Sequence, residues 1–74
     1  MTRYRSTFGE LIRSRRESAA LTQESLAQLS GLSRTFLSEL ERDLASPSLD
    51  VLIRLANGLG TSLTDLFSNW ELDD

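Results

Sequence analysis

At 74 residues the chain is long enough for one small domain, with little room for both a core and a catalytic cleft. It holds no cysteine and no histidine, which excludes disulfides, thiolate or imidazole metal sites, and nucleophilic triads of the Cys-His or Ser-His kind. The net charge of −3 argues against a nonspecific nucleic-acid binder, but it is unevenly spread: residues 1–42 carry seven arginines against five acids, and residues 43–74 carry one arginine against six.

All eight cations are arginine. Codon bias of a GC-rich genome explains most of the missing lysine, yet each arginine still offers a planar fork suited to guanine or phosphate. No apolar run approaches the roughly 18 residues of a transmembrane helix. Met1–Arg5 leads into no apolar signal core, so a cytoplasmic location is expected.

The first helix is predicted from Ser6 or Thr7 to about Ser18. Phe8, Leu11 and Ile12 fall at helical spacing, with Arg15 and Ala19 continuing the stripe and Arg13 and Arg16 flanking it. Thr22 is a good N-cap for a second helix in which Leu26, Ala27 and Leu29 face inward, and Gly31 follows its end where a left-handed residue is often needed. A third helix opens after the Ser33 cap and runs to about Arg42, with Leu37 and Leu40 facing the core and Leu32 packing before the cap.

Asp43–Pro47 reads as a loop. Ser48 caps a fourth helix whose apolar face is Leu49, Leu52, Ile53, Ala56 and Leu59, and Gly58 and Gly60 end it. Ser62 and Asp65 resemble a capping box opening a short fifth helix with Leu63, Leu66 and Phe67. The tail 68–74 is acidic but holds Trp70 and Leu72. There is no internal repeat, linker or second domain, so residues 1–74 are expected to form a single all-α domain, a compact five-helix bundle.

Residues 22–42 carry the most information. Two short amphipathic helices separated by Ser30-Gly31-Leu32 have the spacing of a helix-turn-helix. That geometry serves mainly to place the second helix in the major groove of DNA. The outward residues near its start are Ser33, Arg34, Thr35, Ser38 and Glu39. Arg34 can grip guanine O6 and N7 with two bonds, and Thr35 offers a methyl to thymine and a hydroxyl to phosphate or base. Glu39 can accept from a cytosine amino group, or pair with Arg42 three residues on. Phe36 is either a half-buried core residue or a ring against the sugar-phosphate backbone. Gln23, in the first turn of the second helix, is either a plain helix-start residue or an amide beside a phosphate held by the helix N-terminus. Arg42 ends the third helix, where backbone contacts are expected.

Residues 8–67 resemble the Xre/Cro/C1-type helix-turn-helix family of phage repressors, restriction-modification controller proteins and bacterial regulators. The resemblance is carried by Ile12-Arg13 and Arg16, by Leu21-Thr-Gln-Glu-Ser-Leu-Ala27, by Gly31-Leu-Ser-Arg-Thr-Phe-Leu-Ser-Glu-Leu-Glu-Arg42, by Ser46-Pro-Ser-Leu49 and by Leu55-Ala-Asn-Gly-Leu-Gly60. It implies a bundle that binds operator double-stranded DNA as a homodimer through Gln23, Ser33, Arg34, Thr35, Ser38, Glu39 and Arg42. It also implies a partly buried ion pair between Arg16 and Glu41. Three positions depart from the family pattern. Ala20 replaces the usual glycine before Leu21, which implies a strained or reshaped turn, and Asp43 replaces the glycine after Arg42. The basic residues common in the next loop are missing.

Leu63, Leu66, Phe67, Trp70 and Leu72 lie beyond the DNA-reading helices. Leu66, Phe67 and Trp70 are expected to be shared with a second chain across a two-fold axis; the alternative is that Leu63, Leu66 and Phe67 close the monomer core while Trp70 covers its edge. The leading function is a sequence-specific DNA-binding transcription regulator, an autoregulatory controller or repressor, with no cofactor, metal, membrane or small-molecule ligand expected. The second reading is a protein-interaction module such as an antitoxin or anti-regulator, whose acidic C-terminal half docks a basic partner. An enzyme is disfavoured, since Glu39 and Glu41, two apart on a helix, face different sides.

Overall fold

Each of the five helices begins at a hydroxyl. A computed structural model describes residues 3–4, 6–68, 70 and 72–73, with helices α1 (Phe8–Ser18), α2 (Gln23–Ser30), α3 (Arg34–Glu41), α4 (Leu49–Gly58) and α5 (Leu63–Leu66). The caps are Thr7, Thr22, Ser33, Ser48 and Ser62, and each side-chain oxygen accepts from the backbone N–H three residues on. A lost cap of this kind costs about 1 kcal/mol. At α1 the capping box is complete, because Glu10 Oε1 also accepts from the Thr7 N–H.

Ile12, Leu26, Leu37, Leu40, Leu55 and Leu66 are fully buried, and together they join all five helices at one core. Burying each contributes about 1.5–3 kcal/mol. α2 packs on α4, α1 on α3, α2 on α3, and α5 on α4. A two-residue antiparallel ladder, β1 (Arg3–Tyr4) with β2 (Leu72–Asp73), joins the chain ends and adds to the all-α body an element absent from the sequence reading. The side chain of Leu72 lies outside the described residues. No helix among the described residues is long and apolar enough to cross a membrane.

The structure shifts several inward faces. Ala19 is the exposed C-cap of α1, so the inner stripe of that helix stops earlier. Leu29 is 60% exposed, and Ser30 is buried in its place. The reason is close helix packing: a Cβ added at Gly58 of α4 would meet Ser30 Oγ at 2.2 Å, so only a small side chain fits at the α2–α4 crossing. On α4, Leu55 and Ala56 are the buried residues, while Leu49 and Ile53 are 64% and 43% exposed. α4 is apolar around most of its circumference, so residue spacing alone does not fix its rotational phase. Leu66, expected at an interface with a second chain, is sealed in the monomer core and has no surface to share.

The two departures from glycine keep the backbone shape that glycine favours. Ala20 has φ 58° and Asp43 has φ 59°, both left-handed. Each costs roughly 1–2 kcal/mol for a residue with a Cβ. Asp43 offsets this cost with its carboxylate. Oδ2 accepts from Thr7 Oγ1 at 2.6 Å and Oδ1 accepts from the Gly9 N–H at 2.9 Å. The carboxylate thus caps the positive end of α1 from the end of α3. Gly9 permits the approach, since a Cβ there would stand 2.5 Å from the Glu41 carbonyl oxygen.

Ala20 and Asp43 should therefore respond oppositely to glycine. Ala20→Gly should stabilise the domain by about 0.5–1 kcal/mol, a rise of a few degrees in Tm. Asp43→Gly should destabilise it by about 1 kcal/mol, because two hydrogen bonds vanish with the strain. Thermal melts followed by circular dichroism check both signs.

Candidate nucleic-acid interface

α3 is held from behind by charge as well as by its leucines. Arg16 Nε donates to Glu41 Oε2 at 2.8 Å and its Nη2 donates to Oε1 at 3.0 Å, a bidentate pair. The side chains are only 12% and 3% exposed. The third donor, Arg16 Nη1, reaches the Leu21 carbonyl at 2.9 Å, which fixes the turn between α1 and α2. Gln23 Nε2 donates to Glu41 Oε1 at 3.1 Å. One carboxylate therefore gathers donors from α1 and α2 onto α3. The hydrogen bond to Glu41 raises the Arg16 pKa above its ordinary value against the opposing effect of burial, so the guanidinium stays charged.

With the back of α3 fixed, its outer side is free to present side chains. Arg34 and Thr35 are exposed in its first turn, Ser38 is half-buried one turn on, and Arg42 is the exposed C-cap. These four and Gln23 of α2 line one shallow depression of about 270 Å³. Arg42 Nε donates to the Ser38 carbonyl at 3.4 Å, which lays its side chain along the helix. Ser33 is exposed just before the depression, and its hydroxyl oxygen is committed to the Phe36 N–H at 3.0 Å. Phe36 is half-buried against the core. Glu39 is half-buried outside the depression, and among the described residues no ion pair joins it to Arg42. Two arginines, two hydroxyls and an amide thus converge, a donor-rich surface in an acidic chain.

At the other end of the fold, Phe67 lies between Phe8 and Trp70, with ring centroids 6.3 Å and 5.3 Å away. Trp70 Nε1 donates to the Ser6 carbonyl at 2.9 Å. Phe67 and Trp70 are thereby tied to the start of their own chain. Sequence reasoning missed the Gln23–Glu41 bond, the reach of Arg16 to Leu21 and the anchoring by Asp43. The last had a signal, an Asp standing where a glycine was expected.

The helix-turn-helix family profile HTH_3 matches residues 12–66, most of the chain. An uncharacterised HTH-type transcriptional regulator of Mycobacterium tuberculosis is 44% identical over 59 residues, covering 80% of this chain and 42% of that protein. The control protein C.SmaI of Serratia marcescens is 42% identical over 59 residues, 80% of this chain and 70% of that one. Among solved structures, the restriction-modification controller protein C.AhdI of Aeromonas hydrophila superposes with a TM-score of 0.77 at 38% identity, over 81% of this chain and 91% of that one. The chain spans about two fifths of the length of the Mycobacterium relative.

Removing one partner of the ion pair leaves the other charged, buried and unmatched. Glu41→Ala should destabilise the domain by about 3 kcal/mol. Chemical denaturation monitored by Trp70 fluorescence measures it, and a loss under 1 kcal/mol would refute the anchoring role.

Proposed function

This chain belongs to the helix-turn-helix family, and from that membership we propose that it is a sequence-specific DNA-binding regulator of transcription, a controller or repressor that sets α3 in the major groove. The observation that carries the reading is the convergence of Gln23, Arg34, Thr35, Ser38 and Arg42 on one outward depression. In this reading Arg34 takes a guanine edge through two bonds, while Thr35 meets thymine or a phosphate. Ser33 and Ser38 add hydroxyls, and Arg42 pairs with the backbone beyond the end of α3. Gln23 keeps a second amide N–H for a phosphate beside the open N–H groups of α2. Glu39 sits at the rim, where it accepts from a cytosine and rejects other bases by repulsion.

One such helix reads only a few base pairs. A homodimer with its two copies of α3 about 34 Å apart reads a two-fold site. With two arginines at the face and a net charge of −3, backbone attraction is modest, and affinity rests on a matched site.

Fluorescence anisotropy with the DNA upstream of the chain's own coding sequence, at two salt concentrations with random competitor, tests the proposal. The wild type should prefer that DNA, and Arg34→Ala should cost about 1–3 kcal/mol and relax one base position. Equal binding to random duplex would overturn the regulator reading and turn attention to a protein partner.

A further inference from the structure

We infer that the cleft formed by α1 with Ser68 and Trp70 is a binding site for a small ω-amino carboxylate, its carboxylate on Arg15 and its ammonium on Glu10. The sequence reading expects no small-molecule ligand. The cleft shares no residue with the depression on α3, so the inference stands apart from the regulator reading. The cleft measures about 400 Å³, and its walls include Glu10, Leu11, Ser14, Arg15, Ser68 and Trp70. Sites for small molecules run upward from roughly 300 Å³. Arg15 is half-buried. Its Nη2 donates to the Ser68 carbonyl and, at 3.4 Å, to Ser68 Oγ. Its Nε is fully buried without a partner, and Nη1 is uncommitted. No carboxylate pairs with it among the described residues. Charge withdrawn from water is ordinarily paired, as in Arg16 next to it. The fold thus supplies Arg15 with neither a counter-charge nor a full set of acceptors.

Glu10 defines the rest of the ligand. It precedes Arg15 by roughly 7.5 Å along the helix axis, at about 1.5 Å per residue. Its Oε1 accepts from the Thr7 N–H, and among the described residues it forms no ion pair with Arg15 or any other cation. A plain anion on Arg15 is opposed by this carboxylate, and a plain cation on Glu10 is opposed by the guanidinium. A ligand that carries both charges, several bonds apart, answers both. Leu11 and the Trp70 indole give the lining apolar surface for the methylenes between the charges, and the Ser14 hydroxyl adds a polar contact. The opposite wall is fixed in advance. Ser68 Oγ donates to the Asp65 carbonyl at 2.8 Å, and Trp70 Nε1 donates to the Ser6 carbonyl at 2.9 Å. Little ordering of the protein is then needed on binding.

Trp70 is the only tryptophan of the chain and lines the cleft, so its fluorescence reports occupancy. Titration of the full chain with δ-aminovalerate should give a saturable change. Valerate, which lacks the ammonium, and pentylamine, which lacks the carboxylate, should each bind about tenfold more weakly or worse. Arg15→Gln, whose amide can still donate to the Ser68 carbonyl, should abolish the response. Glu10→Gln keeps an oxygen for the Thr7 N–H and should bind valerate as well as δ-aminovalerate, a loss of discrimination that a merely structural role does not produce. Arg34→Ala should leave every titration unchanged, which separates this site from the DNA-reading proposal. A wild type that gives no saturable response to δ-aminovalerate overturns the inference. So does a wild type that binds valerate equally well, and so do Arg15 and Glu10 variants that titrate like wild type.

Discussion

The bidentate pair of Arg16 and Glu41 is the interaction on which the arrangement of α1, α2 and α3 depends. A small bundle with six fully buried leucine and isoleucine side chains among its described residues can bury apolar area in more than one way. Leucines are nearly interchangeable, and core packing alone tolerates small rotations of a helix about its axis. A guanidinium fork meeting a carboxylate at 2.8 and 3.0 Å does not. Because both groups are largely out of water, any rotation of α3 that parts them exposes an uncompensated charge to the core. The pair therefore sets the angular position of α3, and with it which side chains look outward.

A second tie works at the far end of the same helix. Asp43 accepts the left-handed backbone usual for glycine and uses its carboxylate to hold Thr7 and the Gly9 N–H. α1 is thus bound to α3 at its start by Asp43 and along its length by Arg16. Gly9 lets the two backbones come close enough for both ties to form. The outer side of α3 carries no such obligations, apart from the cap at Ser33 and the backbone bond of Arg42. Rigidity behind and freedom in front suit the reading role proposed for α3.

Much of this was legible in the sequence where local chemistry decides it. The hydroxyl caps, the left-handed Gly31 and the inward Leu37 and Leu40 follow from short-range rules, and the structure places them so. The phase of α4 was not legible, because apolar residues on most sides leave no polar stripe to orient it. The sequence pattern points Leu29 inward with Leu26 and Ala27, yet the crossing with Gly58 demands the smaller Ser30. Spacing leaves Leu66 open to a second chain because it shows a helix face but not which neighbour already covers it, and in the fold that residue is fully buried. For the outer side of α3, the spacing gave the residues, while the depression that collects five of them, with Glu39 left at its margin, emerged only in three dimensions.

The bond from Gln23 to Glu41 has a consequence for the timing of recognition. A free glutamine side chain surrenders about 1.5–2 kcal/mol of rotational entropy when it is fixed. Here the carboxylate has already restricted that motion in the unliganded domain, as part of the folding of the helices around Arg16. Under the proposed function, a phosphate at α2 would meet an amide whose orientation is settled, with little further order to impose on it. The carboxylate that keeps the bundle in register would then also lower the entropic cost of that contact, so that folding and the proposed recognition would draw on one preorganised group.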